Sequence, residues 1–270
     1  SIYSPFNNIN LSIKNRNRIL KIMLNENYIS EHEFTKALNE EIKLNSIQNE
    51  SSFLNDPVLI NFILDETKQI LNTYKPKKDY EFIKIRSSLN LTWQKKAQNL
   101  SRLIKPKDLE IALVTIESNS GLIRTMISGK EPHLNTFNRA KSAIRPLSST
   151  FKIISYMAAF EEGKSLEDLY YDEPTCWENY CPKNFSNTYK GKISLLDAFK
   201  TSSNIIPIKL SKELGLEKII NLANKLGLGY EQRIDKFLSL AIGAYGDSLI
   251  NISNVYSTIN NNGFLIKPSI

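Results

Sequence analysis

The stretch Ala143–Gly163, AIRPLSSTFKIISYMAAFEEG, constrains this chain more than any other. After Phe151 it is apolar on nearly every face, and a helix without a polar side belongs inside a fold rather than on its surface. Gly163 marks its end. Yet Lys152 sits in that run, one helical turn after Ser149. Positions three apart share a helix face, so the Lys152 amine can reach the Ser149 hydroxyl. A serine hydroxyl is a weak nucleophile at neutral pH and needs a base within hydrogen-bond reach. Burial among Phe151, Ile153, Ile154, Met157 and Phe160 disfavours an ammonium, which is how a lysine becomes such a base. Ser149 also starts the helix, where backbone N–H groups point outward, so its own amide is suited to an oxyanion.

SxxK alone is a cheap pattern in a chain rich in Ser and Lys, and a lysine can also snorkel out of an apolar helix. A second element strengthens it. SLLDAFKTSSNIIPIKLSKELG reads as helix, short break, helix, with Ser202, Ser203 and Asn204 in the break and Pro207 in the first turn of the next helix. Such a break can present a hydroxyl and a carboxamide to a cleft, although Ser and Asn are also what any helix N-terminus prefers. Ser88 to Asn90 repeats the SxN triplet elsewhere, so neither motif is decisive by itself.

The formal charge of +7 comes from 35 basic residues scattered among 28 acidic ones, without a like-charge run or an Arg-rich helix. That distribution argues against nucleic acid as a partner. No apolar run approaches the roughly 18 residues that span a bilayer, and the start, SIYSPFNN, has neither Met nor a signal pattern. The chain is therefore expected to be a piece of a longer polypeptide. Its two histidines, His32 on a helix and His133 in a loop, are too far apart for a metal site or a Ser/His pair, and no cofactor is called for. Cys176 and Cys181 lack the CxxC spacing and a second pair, which leaves a small-loop disulfide and two plain thiols as open alternatives. Trp177 and Tyr180 in the same loop either line a peptide cleft or pin the loop to the domain.

The chain has material for a sizeable core and for more than one unit. Residues 1–45 read as a helical pair, the second helix opening with the capping box Ser30 to Glu33. Residues 46–110 turn polar and Asn/Lys-rich and read as a linker subdomain, with a strand at EFIKIRSSL, 81–89, leading into a helix around Trp93 to Leu103. Within 111–270, Ile111 to Ile116 and Leu122 to Ile127 flank turn residues and form an antiparallel hairpin. Helices are expected over 195–200, 205–214 and 216–226. Gly243 and Gly246 around Tyr245 mark a turn before one more helix.

Taken in order, these segments resemble the class A, bifunctional penicillin-binding proteins. FNRAKSAIRPLSSTFKIISYMAAFEEG is similar to that family's segment around the nucleophile, YCPKNFSNTYKGKISLLDAFKTSSNIIPIKLSKELG to its second motif with the preceding PxNF-type loop, and LSLAIGAYGDSLINISNVYSTINNNGF to the helix that follows. More loosely, RNRILKIMLNENYISEHEFTKAL resembles the closing helices of the glycosyltransferase domain, whose catalytic glutamate lies upstream. The resemblance implies an α+β fold of the penicillin-binding-protein/serine β-lactamase type, an antiparallel sheet flanked by helices. On that resemblance the fold is expected to be truncated here, because the third motif, a Lys-Thr/Ser-Gly strand, would fall beyond Ile270.

It further implies a D,D-transpeptidase that cross-links peptidoglycan on the periplasmic face of the bacterial inner membrane, held there by a segment outside this chain. Its partners would be stem peptides on lipid II-derived glycan and other cell-wall synthesis proteins, with β-lactams as inhibitors. Ser149 would be the acylated nucleophile, Lys152 its base, Ser202 the proton relay to the leaving amine, and Asn204 a ligand for the donor peptide's backbone amide and for the Lys152 amine, with Trp177 and Tyr180 as further substrate-binding residues. Alternatives are a serine β-lactamase or D,D-carboxypeptidase, or a non-catalytic remnant that binds peptidoglycan or a partner. The family has Gly and Pro where this sequence has Ser148 and Ile153.

Overall fold

Ser30 opens its helix as a capping box: its hydroxyl accepts from the Glu33 N–H, and the Glu33 carboxylate accepts from the Ser30 N–H at 2.8 Å. The computed structural model of the chain describes residues 5, 8–42, 56–74, 82–104, 109–129, 137–229 and 237–270, and its contacts divide it into two units, Ser1–Ser52 and Phe53–Ile270. In the first unit α1 (Ile9–Asn25) and α2 (Glu31–Asn39) form the expected pair. The Arg16 guanidinium ties them, donating to the carbonyls of Leu38 at 3.2 Å and Glu40 at 2.7 Å. His32 is exposed on α2, and His133 lies outside the described residues.

The second unit begins with α3 (Pro57–Tyr74) and α4 (Leu91–Leu103) and continues into the hairpin of β1 (Leu113–Ile116) and β2 (Ile123–Ile127). The hairpin is antiparallel, pairing Leu113 with Ile127 and Val114 with Met126. Phe62 of α3, Ile123 and Met126 of β2 and Ile250 of a later helix share one apolar cluster. α3 and α4, expected in a linker subdomain, thus pack in the same unit as the hairpin.

The strand expected at 81–89 does not form over its described part, Phe82 to Leu89, which is irregular up to the N-cap Asn90 of α4. The edge of β2 that a strand would use is served by one side chain and by isolated backbone bonds instead. The fully buried Gln94 carboxamide donates to the Met126 carbonyl at 2.8 Å and accepts from its N–H at 3.0 Å. The Asn90 backbone N–H donates to the Arg124 carbonyl at 2.8 Å. An alternating pattern marks extended backbone but cannot say whether a partner strand is available.

After α5 (Arg139–Ser142) and the two-residue β3 (Arg145–Pro146) comes a 3-10 turn, Ser148–Phe151, that runs directly into α6 (Lys152–Glu161). The apolar circumference of α6 is used on both sides. Phe151, Ile154 and Ala158 pack with Ile208, Ile219, Ala223 and Val255, while Tyr156 and Ala159 pack with Leu195, Ala198, Ile206 and Leu210. These partners come from α7 (Leu195–Lys200), α8 (Ile205–Leu214), α9 (Leu216–Lys225) and α10 (Leu249–Asn260), the first three close to the bounds read from the sequence.

β4 (Leu169–Asp172) and β5 (Gly191–Ser194) pair antiparallel across the connection that carries Trp177, and β6 (Gly246–Asp247) pairs with β3. Among the described residues the sheets are three antiparallel pairs, with one parallel bridge from Leu122 to Ser269. No described helix is long and apolar enough to cross a membrane.

Candidate active site

Ser149 stands at the mouth of α6 because two backbones meet there. The Ser148 N–H donates to the Gly243 carbonyl at 2.8 Å and the Leu147 N–H to the Tyr245 carbonyl at 2.8 Å. The approach is so close that a Cβ on Gly243 would lie 1.9 Å from the Ser148 carbonyl oxygen. Ser148 itself has φ +49°, left-handed backbone that favours glycine. The next residue, Ser149, is exposed. Among the described residues its amide is bonded to no backbone carbonyl, so that N–H is free for an incoming oxyanion.

Lys152, three residues on, is buried, with only 3% of its surface exposed. Its Nζ donates to the Ser202 carbonyl at 2.7 Å, the Ser202 Oγ at 3.0 Å and the Asn204 Oδ1 at 2.6 Å. An ammonium has three protons, and these acceptors take all three. Burial lowers its pKa to about 8, within reach of a neutral amine near physiological pH. Ser202 and Asn204 reach the lysine because the break between α7 and α8 turns sharply: Ser202 has φ +55°, and Ser202 N–H closes on the Phe199 carbonyl at 3.0 Å.

The structure therefore brings Lys152, Ser202 and Asn204 together, across about fifty positions of sequence. Ser149 is carried on the turn that leads into Lys152, but among the described residues no hydrogen bond joins the two side chains. Trp177 and Tyr180 bond each other through reciprocal backbone bonds of 2.9 Å, and both half-buried rings pack against the α6 core cluster. The loop that holds them is closed by a Cys176–Cys181 disulfide, which resolves the alternative left open by the sequence.

Two residues that sequence reasoning passed over support the break. Asp172 at the end of β4 and Asn184 in the PKNF loop bond Ser203 and Asn204. The PKNF segment was a signal for Asn184, and nothing in the sequence singled out Asp172. Among the described residues no group of His, Cys, Asp and Glu is placed to hold a metal ion.

Residues 111–270 match the penicillin binding protein transpeptidase domain. Over 98% of its length the chain is 28% identical to penicillin-binding protein 1B of Buchnera aphidicola subsp. Acyrthosiphon pisum, and over 97% it is 25% identical to penicillin-binding protein 1B of Vibrio cholerae. It spans 36% and 35% of those two relatives, little more than a third. The crystal structure of penicillin-binding protein 1A from Haemophilus influenzae aligns with all of this chain and 55% of its own, at TM-score 0.65 and 19% identity. The PonA1 protein from Mycobacterium tuberculosis, solved in complex with penicillin V, aligns with 78% of this chain and 60% of its own at TM-score 0.66 and 18% identity.

Proposed function

Because the chain belongs to the penicillin-binding protein transpeptidase family, we propose that it is the acyl-transfer part of a D,D-transpeptidase that cross-links peptidoglycan through an acyl-serine intermediate. The observation that carries this reading is the Lys152 amine, buried, lowered to about pKa 8 and bonded by Ser202 and Asn204. An ordinary structural lysine would not need that combination.

In the proposed reaction neutral Lys152 takes the proton of Ser149 Oγ as Oγ bonds to the carbonyl carbon of the penultimate D-Ala of a stem peptide. The Ser149 N–H steadies the oxyanion. The C–N bond to the terminal D-Ala then breaks, and Ser202 passes the proton held by Lys152 to the leaving amine. An amine from a neighbouring stem attacks the ester carbonyl, the bond from Ser149 Oγ to the acyl carbon breaks as the new amide forms, and the proton lost by the amine goes to Oγ. Asn204 holds the backbone of the donor, and Trp177 and Tyr180 wall its path. A β-lactam enters the first half only, since its leaving nitrogen stays tethered after the ring opens. The disulfide supports an oxidising location, on the periplasmic face of the inner membrane.

The test is to incubate the chain with a stem peptide ending in D-Ala-D-Ala and an amine acceptor, following products by mass. Transfer to the amine with release of D-Ala is the expected result. Hydrolysis alone would point to a carboxypeptidase, and an unchanged peptide would count against the reading.

A further inference from the structure

We propose that Asp172 and Asn184 are positioning residues that decide which end of the Asn204 carboxamide meets Lys152; the proposal rests on the transpeptidase reading of the Ser149–Lys152 centre. Asp172 is 1% exposed, and among the described residues no cation pairs with it. A buried carboxylate in that state must have its oxygens filled by hydrogen-bond donors. They are: Oδ1 accepts from Ser203 Oγ at 2.7 Å and Asn184 Nδ2 at 2.9 Å, and Oδ2 from the same Nδ2 at 3.0 Å and the Lys190 N–H at 2.9 Å.

Each of these bonds removes a freedom from the Ser202–Asn204 turn. The single proton of the Ser203 hydroxyl is committed to Asp172, so its lone pairs are left for the N–H groups of Ile205 at 3.1 Å and Ile206 at 3.2 Å, the first turn of α8. Asn184 Nδ2, held by Asp172 and by the Thr188 carbonyl at 3.1 Å, fixes the orientation of its own amide. Its Oδ1 therefore faces the Asn204 N–H, at 2.7 Å. Asn204 Nδ2 then donates to the adjoining Lys183 carbonyl at 2.7 Å, leaving Oδ1 for Lys152. A flipped Asn204 would aim its NH₂ at the ammonium. Lys183 and Asn184 follow the disulfide-closed loop, with Pro182 buried between, so the carbonyl that selects the Asn204 orientation sits on an anchored segment.

The test compares the chain with its D172N and N184A variants. An amide at position 172 would turn an NH₂ toward a donor at one oxygen or the other, whereas N184A removes the link without changing charge. Two readouts are taken: the rate of acylation by a fluorescent penicillin, and the titration midpoint of Lys152 followed by NMR of a lysine-labelled sample. Both variants should acylate more slowly, on the order of 10- to 100-fold, and both should move the Lys152 midpoint downward, because the ammonium loses an acceptor. Folded N184A with the midpoint and rate of the parent would overturn the proposal, and so would a shift in D172N alone, which is the field of the carboxylate. If D172N does not fold, N184A decides. If the parent forms no adduct the transpeptidase reading fails instead, and the two Lys152 midpoints still judge the positioning.

Discussion

Lys152 Nζ lies 2.6 Å from Asn204 Oδ1, a bond between a buried amine and a helix-break carboxamide fifty-two positions away in sequence. With the two bonds to Ser202 it describes a protonated lysine at rest, every donor satisfied. The proposed chemistry needs the other form. Below a pH of about 8 Lys152 is an ammonium and cannot accept the Ser149 proton; above it the amine is free to do so. The acylation rate should therefore rise with pH through a midpoint about 8 and then level off. Stopped-flow acylation by a chromogenic penicillin across pH 6 to 10 measures it, and a flat profile would remove Lys152 as the base.

The close contact between Ser148 and Gly243 predicts opposite effects at its two ends. Replacing Ser148, at φ +49°, by Gly relieves left-handed strain and should stabilise the chain by about 0.5–1 kcal/mol, after the extra freedom of Gly in the unfolded state is subtracted. Replacing Gly243 by Ala puts a Cβ 1.9 Å from the Ser148 carbonyl oxygen and should cost more than about 2 kcal/mol, moving the segment that carries Ser149. Urea unfolding of both variants gives the two signs.

Gln94 supplies a third prediction, away from the site. Its side chain satisfies both backbone groups of Met126 on the outer edge of β2. Gln94→Leu keeps the bulk and leaves that N–H and C=O buried and unpaired, a loss of about 2–4 kcal/mol. Calorimetry should show a lowered unfolding temperature. An unchanged one would mean that water or another group replaces the carboxamide.

These features differ in how far the sequence discloses them. The capping box at Ser30, the hairpin turn between Ile116 and Leu122, and the bounds of α7 and α8 are local chemistry, and local chemistry is written in adjacent letters. The burial of α6 was legible for the same reason, since a helix with no polar face has no other place. Residues 82–89 misled because alternation marks extended backbone and says nothing of who occupies the neighbouring edge; a glutamine from the next helix does. Gly243 looked like an ordinary turn glycine, because its need arises from a backbone ninety-five positions earlier. Asp172 and Asn184 were hidden likewise, one at a strand end and one in a loop. Spacing along one helix points to Ser149 and Lys152 but cannot show what the amine bonds; Asn204 beside Lys152 is an expectation of the family resemblance alone, and the bonds to Ser202 and Asn204 depend on a break fifty positions away.

Whether Ser149 is an activated nucleophile is read from the intact mass of the chain after exposure to a penicillin, beside the Ser149→Ala variant. One covalent adduct is expected on the parent chain and none on a folded Ser149→Ala chain. An unmodified parent that is demonstrably folded, or an adduct that survives the substitution, would contradict that expectation.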